Sequence, residues 1–233
     1  MLVLGIETST PQTSVTIGSE QGIIGSCQIS RGASHAEFLL PAVEFLLQHA
    51  GLSYRNLSGV AVGLGPGLFT GMRIGVTTAK TIAQALSIPI VGVPSLDLLA
   101  FDVRYSHKVI CPALDAKRSE VFFAFYRQVP GGVSRISEYM VGSPEHLAAE
   151  IEGQASEVLL VGSGALLYRD RLEEGAQHME FGTLSGAFPR ASSLVELAVP
   201  RLYREDFDRL LDVEPMYMRR SQAELNWERR RAV

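Results

Sequence analysis

Cysteine is scarce, with Cys27 and Cys111 the only two thiols in 233 residues. Both stand in apolar, strand-like surroundings, Gly25-Ser26-Cys27-Gln28-Ile29 and Val109-Ile110-Cys111-Pro112. That pattern excludes a disulfide framework or a thiolate metal site and predicts buried thiols in a reducing compartment. Histidine is as sparse. His35, His49, His107, His146 and His178 never approach within one helical turn in sequence, so no H-x-x-x-H or H-E-x-x-H metal site can form on a helix. No stretch reaches the roughly 18 consecutive apolar residues of a membrane span, and Met1 to Glu7 lacks the basic region and long apolar run of a signal peptide. A cytoplasmic protein is expected. Excess positive charge is missing too: 21 Lys and Arg against 25 Asp and Glu leave a net charge of −4. Bulk attraction to nucleic acid is excluded, and any RNA contact needs a local basic patch.

What is present is an ordinary globular composition, 46% hydrophobic and 20% charged, enough for one large domain or two small ones. Short apolar runs at Leu2–Ile6, Ser14–Ile17 and Gly22–Ile29, parted by turn-rich residues, predict an antiparallel meander. A helix follows from a capping box at Ser34 and Glu37 to about His49. Next come a strand at Gly59–Leu64, a Gly-rich loop, a helix at Thr70–Leu86 and a strand at Ile90–Val93. The same grammar restarts with strands at Val109–Leu114, Glu120–Arg127 and near Ile136–Val141. A helix at Pro144–Ile151, a strand at Val158–Val161 and helices at Ala165–Leu172 and Ser192–Glu205 complete it. Two similar α/β units, residues 1–101 and 102–233, are expected. Each has an acid ending its first strand, Glu7 or Asp115. A duplicated unit of this kind resembles the ribonuclease H-like actin, Hsp70 and sugar-kinase (ASKHA) superfamily, whose turns after those acids hold nucleotide phosphates and magnesium. Fold alone does not carry that function across.

The loop Gly63-Leu64-Gly65-Pro66-Gly67-Leu68-Phe69-Thr70-Gly71 lies where a helix N-terminus can receive an anion. It ends Thr70-Gly71-Met72, without the lysine of a Walker A loop, and Leu68 stands where a dinucleotide loop needs its third glycine. A structural turn or a partner contact fits it better. In the next helix Gly71, Gly75, Ala79 and Ala83 recur every fourth residue, a spacing that lets a neighbouring helix approach closely, whether from this chain or another. The first helix is apolar on three adjacent rows: Phe38, Ala42 and Phe45; Leu39, Val43 and Leu46; Leu40 and Leu47. Either it is sandwiched within the chain or a second subunit covers its outer face. Met216 to Arg231 holds Arg219, Arg220, Arg229, Arg230, Arg231 and the single Trp227, which suits RNA, though a solvated tail explains the same residues.

At these residues the chain resembles the TsaB (YeaZ) family of the threonylcarbamoyladenosine (t6A) tRNA modification pathway. The likeness runs nearly end to end, through Gly5-Ile6-Glu7-Thr8-Ser9-Thr10, His35-Ala36-Glu37, the block from Gly65 to Gly75, Asp115-Ala116-Lys117-Arg118-Ser119-Glu120-Val121 and Pro215-Met216-Tyr217-Met218-Arg219. Glu7 departs from the more usual aspartate. The catalytic relative TsaD carries a metal-binding His-x-x-x-His where this chain has Ser95 and Leu99, so the resemblance implies a pseudo-enzyme with no metal or nucleotide of its own. It implies that metal and ATP belong to the partners TsaD and TsaE. The partner surface it implies, for TsaD or for a homodimer when TsaD is absent, comprises His35, Phe38, Leu39, Ala42, Phe45, Leu46, Gly71, Arg73, Gly75, Ala79 and Ala83. A nucleotide or tRNA contact would fall to Glu7, Thr8, Asp115, Arg118, Arg219 and Arg220. The reading of another class is a stand-alone ASKHA-type nucleotide hydrolase or an M22-like peptidase. Missing phosphate fingerprints count against the first and the missing histidine pair against the second.

Overall fold

Val3 to Glu7 is buried along its whole length because both faces of this strand are covered, so it reads as an apolar run rather than an alternation. In the computed structural model, which describes residues 1–30 and 34–219, this strand β1 is the middle of a five-stranded sheet. The order is β3-β2-β1-β4-β5, with β2 at Gln12–Ser19, β3 at Gly22–Ser30, β4 at Gly59–Gly63 and β5 at Ile90–Val93. The first three strands form the expected antiparallel meander, and β4 and β5 join in parallel. Leu4 and Ile6 point to one face, into a core with helices α1 (His35–His49) and α2 (Phe69–Leu86). Val3, one residue out of phase, packs on the other face against helix α7 (Ala191–Tyr203).

The second sheet has seven strands: its main path runs β10-β7-β6-β11-β12, formed by Met140–Gly142, Val121–Phe123, Val109–Asp115, Val158–Val161 and Met179–Phe181, and a further hairpin joins it at β6. Helices α4 (Pro144–Glu152), α5 (Ser163–Leu167) and α6 (Arg169–Gly175) belong to it, and α3 (Ser95–Asp102) lies between the two units, touching β6 and α7. A mixed α/β fold of two ASKHA-type units therefore stands.

Several local expectations are corrected. The strand expected at Glu120–Arg127 breaks after Phe123, where Phe125 donates to Ser137 Oγ at 2.9 Å and accepts from Ile136 N–H at 2.8 Å. Its second part becomes β8 (Tyr126–Val129), hairpinned to β9 (Gly132–Arg135) through Pro130-Gly131. The helix expected at Ala165–Leu172 is divided at Tyr168. Ser34 makes no side-chain cap, and α1 runs unbroken through Pro41. A boundary at residue 101 separates the strands of the units but not their helices, since α7 returns to cover β1, β2 and β4. Among the described residues no helix is long and apolar enough to cross a membrane.

Candidate functional site

The two first strands end in the same turn. Ser9 N–H donates to Glu7 Oε1 at 2.6 Å, and Lys117 N–H donates to Asp115 Oδ1 at 2.8 Å, each acid capping the residue two positions on. The side chains then diverge. Glu7 is fully buried; its Oε2 accepts the Ser95 hydroxyl at 2.8 Å, and Ser95 Oγ accepts Gly65 N–H at 3.1 Å. Burial raises the Glu7 pKa, with the bonds from Ser9 and Ser95 opposing the rise. Glu7 thus ties β1, the Gly-rich loop and the start of α3 into one knot. Thr8 also faces inward, donating to Gly71 O at 2.7 Å. Neither residue is placed for a nucleotide or tRNA contact, which corrects that expectation.

Asp115 remains at the cleft between the units, on a cavity of about 290 Å³ with Ser9, Thr10, Gly67, Ser163 and Lys117. Its Oδ2 accepts Lys117 Nζ at 2.7 Å. On the other wall Leu68 N–H donates to Ser9 O at 2.6 Å, so a loop amide that would cradle a phosphate is taken up in bracing the fold. Arg118 is exposed, and Arg219 pairs with Glu120 while donating to Ala116 O at 3.1 Å. Arg220 lies outside the described residues, as do Trp227 and Arg229 to Arg231. Ser95 and Leu99, where the resemblance placed the catalytic relative's histidines, are both buried, Ser95 committed to Glu7 and Leu99 packed with Leu96, Ile110 and Leu114. A hydroxyl already bonded to a carboxyl and an isobutyl group offer no pair of ligands, so these residues do not fit a metal. No cluster of three metal-ligating side chains occurs among the described residues.

The every-fourth-residue row on α2 is also resolved. A Cβ on Gly71 would run into Thr8 O, and one on Gly75 into Thr8 Oγ1. Ala79 and Ala83 are buried in the core of the same chain. The close approach is therefore between α2 and the end of β1, and these four residues are withdrawn from the partner surface. His35, Leu39, Ala42 and Leu46 are likewise buried under α1. What stays outside is Phe38 in part, Arg73, and two large apolar side chains, Leu40 at 46% exposure and Phe45 at 51%. Leu40 was legible as part of the third apolar row. The exposed ring of Phe69 and that of Tyr217 were not.

His35 makes the stability of the fold depend on pH. Its Nδ1 lies 2.7 Å from Thr13 Oγ1 in a buried pocket, and burial holds the imidazole pKa below the usual 6.5. The unfolded chain therefore binds this proton more readily than the folded one. The stability His35 confers is complete above about pH 6.5 and declines as pH falls below it toward the folded-state pKa. Denaturation midpoints at about pH 7.5 and about pH 5.5 should differ less in His35→Gln than in the parent chain. An identical decline in both would assign the pH dependence elsewhere.

Two acid-capped turns facing one cleft, on paired mixed sheets, define an ASKHA-fold protein whose Gly-rich loop carries no lysine and which has no cluster of three metal-ligating side chains among the described residues. A family model described as TsaD, tRNA N6-adenosine threonylcarbamoyltransferase, matches residues 28–227. The tRNA threonylcarbamoyladenosine biosynthesis protein TsaB of Bacillus subtilis is 32% identical over 97% of this chain and 98% of its own length, and that of Escherichia coli 26% over 96% of each. The solved structure of YeaZ from Pseudomonas aeruginosa superposes with a TM-score of 0.80 at 27% identity, covering 93% of this chain and 99% of that one. EutJ from Carboxydothermus hydrogenoformans, at TM-score 0.52 and 9% identity, shares the fold alone. The chain belongs to the TsaB (YeaZ) family, whose members are named for a part in making threonylcarbamoyladenosine in tRNA.

Proposed function

We propose that the chain is the non-catalytic subunit that scaffolds and activates TsaD, with TsaE completing the assembly. The reaction supported is threonylcarbamoyl transfer to N6 of the adenosine beside the anticodon in tRNAs reading ANN codons. One observation carries the reading: Ser95 is bonded into the Glu7 knot and Leu99 into an apolar core, where the catalytic relative needs two imidazoles. The chain contributes surface instead of chemistry. Leu40 and Phe45 are large apolar side chains of α1 left open to solvent, and Arg73 is exposed on α2; such side chains contribute most when a partner excludes water from them. TsaD is the partner assigned to that face, with a second copy of this chain as its occupant when TsaD is absent.

Two measurements on the isolated protein test the non-catalytic half. Elemental analysis after purification without chelator should find no stoichiometric zinc or iron. ATP turnover should sit at background and be unchanged by Asp115→Ala, since the Gly-rich loop offers no lysine and Asp115 is held by Lys117. A tightly held metal, or turnover abolished by Asp115→Ala, would restore the stand-alone enzyme.

A further inference from the structure

The C-terminal segment brings together residues that the sequence keeps far apart. Beyond α7, Asp208 Oδ2 accepts Gly92 N–H at 2.7 Å, Val213 O accepts Lys80 Nζ at 3.0 Å, and Met216 N–H donates to Leu64 O at 2.8 Å. Up to Arg219 this is an anchored strap, which corrects the expectation of a solvated tail from Met216. The strap lays Tyr217 on Phe69 at the start of α2, ring centroids 5.1 Å apart and planes 30° from parallel. Both rings stay open to solvent, Tyr217 at 48% and Phe69 at 41% exposure. The Arg73 guanidinium lies 5.2 Å from the Phe69 centroid.

Beside the pair runs a groove of about 200 Å³, lined also by Lys117, Arg118 and Arg219. Lys117, Arg118 and Ser119 hold φ of 61°, 56° and 57° in succession, a left-handed run that non-glycine residues seldom adopt and that is often found at functional sites. Lys117 and Arg219 are paired with Asp115 and Glu120, whereas Arg73 and Arg118 are exposed cations. Four cations against two carboxylates leave this patch at +2 on a chain whose net charge is −4, and from Arg219 the sequence continues directly to Arg220. Aromatic faces open to solvent, edged by arginine, are the elements that hold unpaired nucleotides: any base stacks on the ring, and the guanidinium takes the phosphate in a forked geometry. A paired base has its faces already covered.

We propose that the Phe69–Tyr217 pair and the adjoining Lys117–Arg118 groove form a binding site for unpaired RNA, one base stacking on Tyr217 with flanking phosphates at Arg73 and Arg118. The proposal rests on the reading of this chain as a subunit acting on tRNA. The site meets the face assigned to TsaD at Arg73, so its test uses Tyr217 and Arg118, which are not assigned to that face.

The test is fluorescence anisotropy of the full chain with an anticodon stem-loop RNA and with a fully paired duplex of the same composition, each at two salt concentrations. The parent chain should prefer the stem-loop. Tyr217→Ala should weaken that binding by about 5- to 150-fold, Tyr217→Phe should retain it, and Arg118→Ala should flatten the salt dependence by about 0.7 in log–log slope. Melting temperature and TsaD pull-down on the same variants keep the outcomes apart. Lost RNA affinity with normal melting and normal TsaD binding supports the site. Equal binding of stem-loop and duplex, no binding by the parent chain, or a Tyr217→Ala variant that loses TsaD and keeps RNA would overturn it. None of these would touch the scaffold reading, which the TsaD pull-down of the parent chain tests by itself.

Discussion

Gly75→Leu should lower the melting temperature of the isolated chain by about 2–12 °C. The hydrogen of Gly75 faces the Thr8 hydroxyl so closely that a single Cβ already collides with it, and a branched side chain must push aside the end of β1. Thr8 would then lose its bond to Gly71 O. Overpacking of this kind costs about 1–3 kcal/mol, and each kcal/mol corresponds to about 2–4 °C in a chain of this size. Affinity for TsaD, measured on the folded fraction, should be unchanged. An unaltered melting temperature with weakened TsaD binding would return the small-residue row of α2 to an intermolecular interface.

Phe45→Asp should do the opposite. The Phe45 ring leans on His49 with centroids 4.1 Å apart and is otherwise half exposed, so a carboxylate there displaces nothing in the core. Exposed substitutions typically change stability by no more than about 0.5 kcal/mol, and melting should move by about 2 °C at most. At the centre of an interface, however, loss of an aromatic anchor together with a buried charge should cost more than about 2 kcal/mol, a loss of affinity of roughly 30-fold or greater. Surface plasmon resonance with immobilised TsaD measures it. A variant that melts early yet binds normally would show that Phe45 belongs to the fold and not to the interface.

These two residues mark where the sequence was readable and where it was not. The strands of the first sheet stand out because β1, β4 and β5 are buried on both faces and written as short apolar runs, and the repeat of an acid at Glu7 and Asp115 discloses the duplication. A spacing of four small residues announces close approach but not the identity of the neighbour, so Gly71 and Gly75 could be read toward a partner as well as toward Thr8. The role of Glu7 was hidden for a similar reason: an acid at the end of a strand looks available, and only the distant Ser95 turns it inward. Between the units α3, and in the second unit the β8–β9 hairpin, escaped because their apolar residues answer to long-range packing more than to local periodicity. Tyr217 and Phe69 meet only through the path of the strap, which no local pattern encodes.

The proposed scaffold role requires that this chain be needed for the modification while performing none of it. Purified TsaD, TsaE, ATP, threonylcarbamoyl-adenylate and unmodified tRNA, incubated with and without the chain, measure it directly through the yield of threonylcarbamoyladenosine in digested tRNA. Product is expected only where TsaD and this chain are both present, and none from the chain alone. Product from the chain alone, or a full rate from TsaD and TsaE without it, would contradict the claim.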